Sequence, residues 1–261
     1  MVFCVGMLRA VLLLALLAGC SDDAQCEADC AATGSIRMDF AGGEVFSAPL
    51  PNEARRTPEG RIDLAGFPNP IAVPLVDGVV SLAQRDARGF GLTSGVFFAA
   101  TEPIAPASLP SLRASTEPGA SVGLIGITPG APDYLRRYPV RVRFAEDPGP
   151  YGPPNQLTLI PLQGVPLRPN SRYAAFVTRG LRSASGAALA PAPQMVELAA
   201  GERPAGLSDA SFTAFREAFG PLAEAGVARE ELVALTVFTT DYPGSPLLAI
   251  SAAARAEFSS A

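Results

Sequence analysis

Residues 138–144 read Tyr-Pro-Val-Arg-Val-Arg-Phe, and their pattern is the clearest indication of the fold class. Its apolar side chains alternate with two arginines, which is the period-2 pattern of a strand with one buried face and one face in water. Strands of this kind belong to antiparallel sheets, so the segment predicts an antiparallel sheet with one solvated face.

Five further segments are rich in Val, Ile, Leu, Phe and Thr and are predicted strands. They are Gly95–Ala99, Val122–Ile127, Gln156–Ile160, Tyr173–Thr178 and Leu232–Thr239. The chain holds 26 Pro and 25 Gly, which supply many turns between short strands. Short strands separated by turns favour a mainly β sandwich over a parallel sheet.

The segment Leu167–Tyr173 has the spacing of a tyrosine corner. In that motif a turn containing Pro169 enters a strand, and the hydroxyl of Tyr173 hydrogen-bonds back to the upstream backbone near Leu167. The motif predicts an Ig-like antiparallel β-sandwich, which we place at residues 44–200. The alternative is an ordinary surface tyrosine after a turn.

The composition changes after Gly201, where a helical pattern replaces the strands. Ser208 is placed to cap a helix, and Pro221 is expected to kink or end it. Apolar residues recur every three or four positions on one face: Phe212, Phe215, Phe219 and Leu222. With a final helix at Ser245–Phe258, residues 201–261 are predicted to form a small helix-strand-helix appendage packed on the sandwich.

The first nineteen residues read as a signal peptide. Ala10–Ala18 is an unbroken apolar run after Arg9, too short to span a bilayer but typical of a secretory signal. Leu17-Ala18-Gly19-Cys20 resembles the bacterial lipobox, which implies that Cys20 is lipidated and becomes the mature N-terminus. The alternative is an ordinary secretory signal with an incidental cysteine.

Residues 20–43 are predicted to be a flexible acidic tether that holds the folded part away from the membrane. Cys26 and Cys30 lie in this segment, and in an oxidising compartment they are expected to form a small local disulfide. Redox catalysis is the weaker alternative, since the spacing is not Cys-x-x-Cys. The acidic residues are interpreted as a solvated linker rather than a metal site.

The composition argues against several functions. The chain has no histidine, which removes Ser-His-Asp and Cys-His catalysis and the usual zinc ligands. Without the signal and its Arg9, 19 basic residues remain against 25 acidic ones, a net charge of −6, and an acidic chain is not expected to bind nucleic acid. A Gly-x-Ser-x-Gly pattern occurs once, at Gly119–Gly123, but it precedes a predicted strand, whereas the serine of a nucleophile elbow follows one. No phosphate-binding loop occurs. We therefore expect no catalytic residue, no metal and no cofactor.

Three blocks of sequence carry a family resemblance: Leu50–Pro68, Leu157–Gly186 and Val237–Thr240. The second block resembles bacterial Ig-like domains of surface-layer type, although Ser183 stands where those repeats usually have Asp. The order of all three resembles the N-terminal region of bacterial virulence-factor (extracellular) lipases, over roughly Phe46–Thr240. Those lipases carry their catalytic residues in a following α/β-hydrolase domain, so none can be transferred to this chain.

These observations lead to three expectations about function. The first is a lipid-anchored bacterial cell-envelope protein, in the outer membrane, with a non-catalytic Ig-like module that binds a protein or another envelope ligand. The second is the N-terminal domain of a truncated lipase or esterase, which a reading frame continuing into a Gly-x-Ser-x-Gly segment would favour. The third is an independent enzyme, which would require ester hydrolysis by the isolated chain.

Overall fold

The computed structural model describes residues 34–258, and within that range six strands form two antiparallel sheets of three strands. Along the chain they are β1 (Val96–Ala99), β2 (Val122–Gly126), β3 (Val140–Ala145), β4 (Gln156–Pro161), β5 (Arg172–Thr178) and β6 (Leu232–Thr239). The strand order is β1-β4-β3 in the first sheet and β2-β5-β6 in the second. All six strands expected from the sequence are present, with bounds shifted by one or two residues.

Side chains alternate along β3 as the arginine pattern predicts. Val140 is buried and opposes Pro161 of β4, while Arg141 and Arg143 face solvent. Both sheets send side chains into one hydrophobic core, including Phe98 from the first sheet and Phe176 from the second, each 0% exposed. The expected antiparallel β-sandwich is therefore confirmed.

Four helices accompany the sheets within the described residues. They are α1 (Pro74–Asp86), α2 (Pro193–Ala200), α3 (Asp209–Glu224) and α4 (Ser245–Phe258). The side chain of Ser208 accepts a hydrogen bond from the Ser211 N–H at 3.2 Å and so caps α3 as predicted. Pro221 lies inside α3, which ends three residues later. The sequence did not lead us to expect α1 or α2.

The separation of residues 201–261 from the sandwich needs correction. β6 pairs with β5 from Arg172↔Thr239 to Thr178↔Leu232 and belongs to the second sheet. Seven of its eight residues are buried, and α3 packs against it. Since β5 is completed by β6, the sandwich itself extends to Thr239. Only α4 follows it as a separate helix.

The expected tether at residues 20–43 is also too long. Ile36 and Met38 are each 1% exposed and belong to the core. Ile36 forms an isolated antiparallel bridge with Ala100, directly after β1. The alternation of apolar and polar residues over this short segment was too brief to stand out in the sequence. Packing against the first sheet begins at Ile36 within the described residues.

Candidate functional site

Three residues singled out by the sequence lie outside the described part of the chain. They are Cys20, the predicted lipidation site, and Cys26 and Cys30, the predicted disulfide pair. The anchor and the disulfide therefore stay predictions. In the described range, no group of three or more metal-ligating side chains comes together. None of the helices between residues 34 and 258 has the length and apolar character required to cross a membrane.

The residues of the tyrosine corner come together at the start of β5. Leu167 and Tyr173 are buried, at 2% and 0% exposure, and Pro169 lies in the turn between them. The Arg168 N–H donates a hydrogen bond to the Tyr173 hydroxyl oxygen at 2.7 Å. This is the contact between a tyrosine hydroxyl and the upstream backbone that defines the motif.

The Tyr173 hydroxyl has a second partner that the sequence analysis missed. Asp133, in the connection between β2 and β3, is 4% exposed and accepts hydrogen bonds from the hydroxyls of Tyr138 and Tyr173, both at 2.7 Å. Its other oxygen lies 3.8 Å from Arg168 Nε. Burial is the main cause that raises the pKa of both tyrosines, and the Asp133 hydrogen bond raises each pKa further.

The arrangement of these side chains joins the two sheets. Tyr138 precedes β3 of the first sheet and Tyr173 lies on β5 of the second, with their rings edge to face at 5.5 Å. The carboxylate of Asp133 accepts from both, so its desolvation is offset by two hydrogen bonds and a nearby cation. Both hydroxyls are protonated at neutral pH and can donate, since their pKa values lie above the ordinary 10.0. The role of this network is to stabilise the fold.

A cleft of about 560 Å³ lies between residues 53–60 and the start of α3. The Glu53 side chain in its wall is 8% exposed, and one of its carboxylate oxygens lies 3.4 Å from Arg56 Nη1. The other oxygen, Oε1, and Arg56 Nε have no hydrogen-bond partner among the described residues. The cleft wall thus offers one acceptor and one donor without a hydrogen-bond partner among the described residues.

Helix α1 presents apolar side chains on two opposite faces. The face toward the domain carries half-buried residues, and no residue of the helix is fully buried. We call the other face the outer stripe, which runs from just before the helix along its length: Ile71, Leu75, Val79 and Leu82. These side chains are 70%, 74%, 56% and 50% exposed. Large aliphatic side chains are usually buried in a folded domain, so four exposed ones along one stripe are unusual.

An apolar cleft lies at the C-terminal end of α1. Its volume is about 260 Å³, and Ala83 and Ala87 line it together with Phe90 and Phe97. The outer stripe and this cleft place two apolar surfaces on the same helix. Exposed apolar patches of this kind mark sites that bind a protein or a membrane.

Comparisons with known proteins identify no family. No protein-family model matches the sequence, and no curated protein matches it. Among solved structures, the chain is similar to the S-layer protein SbsC, with a TM-score of 0.26 and 13% identity over 39% of this chain and 11% of that one. A structure of SbsC domains 1–6 gives a TM-score of 0.25 and 10% identity over 44% and 14%.

A structure of the N-terminal part of SbsC gives a TM-score of 0.23 and 11% identity, covering 44% of this chain and 25% of that chain. The chain thus spans a quarter or less of the length of these structures. A likeness at this level assigns neither a family nor a function. The described residues form an antiparallel β-sandwich domain with an exposed aliphatic stripe along helix α1.

Proposed function

We propose that this chain is a lipid-anchored protein of the bacterial cell envelope, in the outer membrane, whose Ig-like module is non-catalytic and works by binding. The observation that carries the proposal is the outer stripe, four large aliphatic side chains exposed along α1 and the residues just before it. Such a surface is the mark of a docking module. The rigid sandwich beneath it supplies a frame for presenting that surface.

The anchor is supported by the lipobox-like segment ending at Cys20. Acyl chains on one cysteine add about 0.8 kcal/mol of membrane affinity per buried CH₂, and two or more chains give stable attachment. The mature chain would then stay on the membrane without a spanning helix. The absence of histidine supports a non-catalytic module, because it removes the general base of the commonest hydrolases.

The test is the intact mass of the native protein, extracted with detergent from the membranes of its own host. We expect the mass of residues 20–261 plus several acyl chains. The Cys20→Ser variant should lack the lipid and leave the membrane pellet. A native protein without acyl mass, or a variant that stays fully in the pellet, would contradict the anchor.

A second candidate function is the N-terminal domain of an extracellular lipase or esterase. The observation that favours it is α4, where Leu247, Leu248, Ile250 and Phe258 are 56–81% exposed. These side chains would be covered if a hydrolase domain packed against them. The same mass measurement decides between the candidates, because a lipase would give a much larger native mass.

A further inference from the structure

We propose that the outer stripe of α1 lies on the lipid bilayer, so that the domain has a second membrane contact besides the anchor at Cys20. The occupant of the stripe is thus a lipid surface rather than a protein. The closeness of the domain to the membrane rests on the proposed function, because the anchor would hold the domain there. The contact itself can be tested on protein without lipid.

Helix α1 has a weak intrinsic stability. It has 13 residues, near the limit below which isolated helices are marginal in water. Its sequence includes Gly78 and several valines, which are poor helix formers. With no residue fully buried, the domain stabilises the helix from one side only. A second apolar environment on the outer side would complete its burial.

The segment between the predicted anchor and the domain is short. The segment from Cys20 to Gly34 connects the predicted anchor to the first described residue. Fully extended, a segment of this length spans at most about 50 Å, so the domain cannot move far from the bilayer. The effective concentration of the outer stripe at the membrane is therefore high, and a weak apolar contact is enough to orient the domain.

The outer stripe is purely aliphatic. Its four side chains are aliphatic, and none offers a hydrogen bond. Protein interfaces depend most on Trp, Tyr and Arg, whereas liquid hydrocarbon requires only apolar area. The charged residues of α1 are Asp77, Arg85 and Asp86, which nearly balance. We therefore expect binding to neutral lipid that salt does not weaken.

The experiment uses the mature chain, residues 20–261, with Cys20→Ser, mixed with phosphatidylcholine vesicles and separated by flotation. The unlipidated protein is expected to float with the vesicles at high lipid concentration. Leu75→Asp places a charge in the stripe and should lower the partition coefficient roughly tenfold or more. Circular dichroism melting checks that this variant, changed at a 74% exposed position, still folds.

The control is Val196→Asp in α2, where an isolated valine is 55% exposed. This variant should float like the parent protein. Three results would overturn the proposal: no flotation of the parent at any lipid concentration, equal loss in both variants, or a dimer in sedimentation that Leu75→Asp dissociates. The last would assign the stripe to a second copy of the chain. None of these results bears on the acyl mass, so the anchor and the contact are judged separately.

Discussion

At the scale of single residues, Asp133 is the centre of the best-defined polar cluster in the described chain. It is buried, and hydroxyls from Tyr138 and Tyr173 both donate to it. The spacing Leu167–Tyr173 predicted that the tyrosine would hydrogen-bond to nearby backbone, because that contact is local. It could not predict Asp133, which is forty residues away from Tyr173 and meets it only when β2 pairs with β5 and the connection after β2 folds back on Gly126.

Replacing Tyr173 with Phe should destabilise the fold by about 2–3 kcal/mol. The change leaves the Arg168 N–H without its acceptor and takes one donor from the Asp133 carboxylate. Urea unfolding followed by far-UV circular dichroism measures the effect. Tyr138→Phe loses the bond to Asp133 alone and should cost less. Tyr151→Phe, at a 37% exposed position, is the control and should change little. If all three variants lose the same free energy of unfolding, the tyrosine corner stabilises the fold no more than an exposed tyrosine does.

The same two tyrosines predict a loss of stability at high pH. Burial and Asp133 raise the pKa of Tyr138 and of Tyr173 above the ordinary value of 10.0. The folded protein therefore holds these protons more tightly than the unfolded chain. Their contribution is complete below pH 10 and falls as the pH rises above 10. Urea midpoints at pH 8 and above pH 10 measure this, and the double variant Tyr138→Phe/Tyr173→Phe should show a smaller decline over that interval.

At the scale of elements, local pattern was a good guide wherever one face is buried. The β3 alternation and the Ser208 cap before α3 both reflect interactions within a few residues, and the structure contains both. Helix α1 was missed because Pro and Gly were interpreted as turn signals along the chain, and Pro74 and Gly78 lie within this helix. Helix α2 was missed because it is short and follows a segment rich in Ala and Pro.

The cap of α3 gives a prediction at this scale. Ser208→Ala removes the side-chain acceptor of the Ser211 N–H and should lower the free energy of unfolding by about 1 kcal/mol. Ser208→Gly should cost only a few tenths of a kcal/mol, since glycine is tolerated at this position. Thermal and urea unfolding of both variants measure the difference. A glycine variant as unstable as the alanine variant would mean that the cap is not the cause.

At the scale of the whole molecule, the position of β6 determines where the domain ends. The first sheet is complete before residue 200, but the second needs β6, which pairs with β5 over its full length. Helix α3 packs against this strand, and its Phe215 and Phe219 are buried in the common core, at 0% and 6% exposure. The sandwich and most of the expected appendage are therefore one cooperative unit.

Two truncations test this unit. A chain that stops at Ala200 loses β6 and α3 and should not unfold cooperatively, because β5 is left with a bare edge and the core is open. A chain that stops at Gly244 loses α4, whose large apolar side chains are exposed, and should keep a melting temperature within a few degrees of the parent. If the chain that stops at Ala200 melts cooperatively, residues 201–261 are a separate appendage.

The sequence alone determined the features that depend on neighbours in the chain: the strand periods, the cap at Ser208 and the spacing around Tyr173. Periodicity and capping act over one or two turns, so a single sequence contains them. Only the tertiary structure decided that Asp133 joins the tyrosines, that β6 completes the second sheet and that α1 exposes its outer stripe. Each of these depends on which distant surfaces pack together, and that outcome follows from the burial of the whole core rather than from any local pattern.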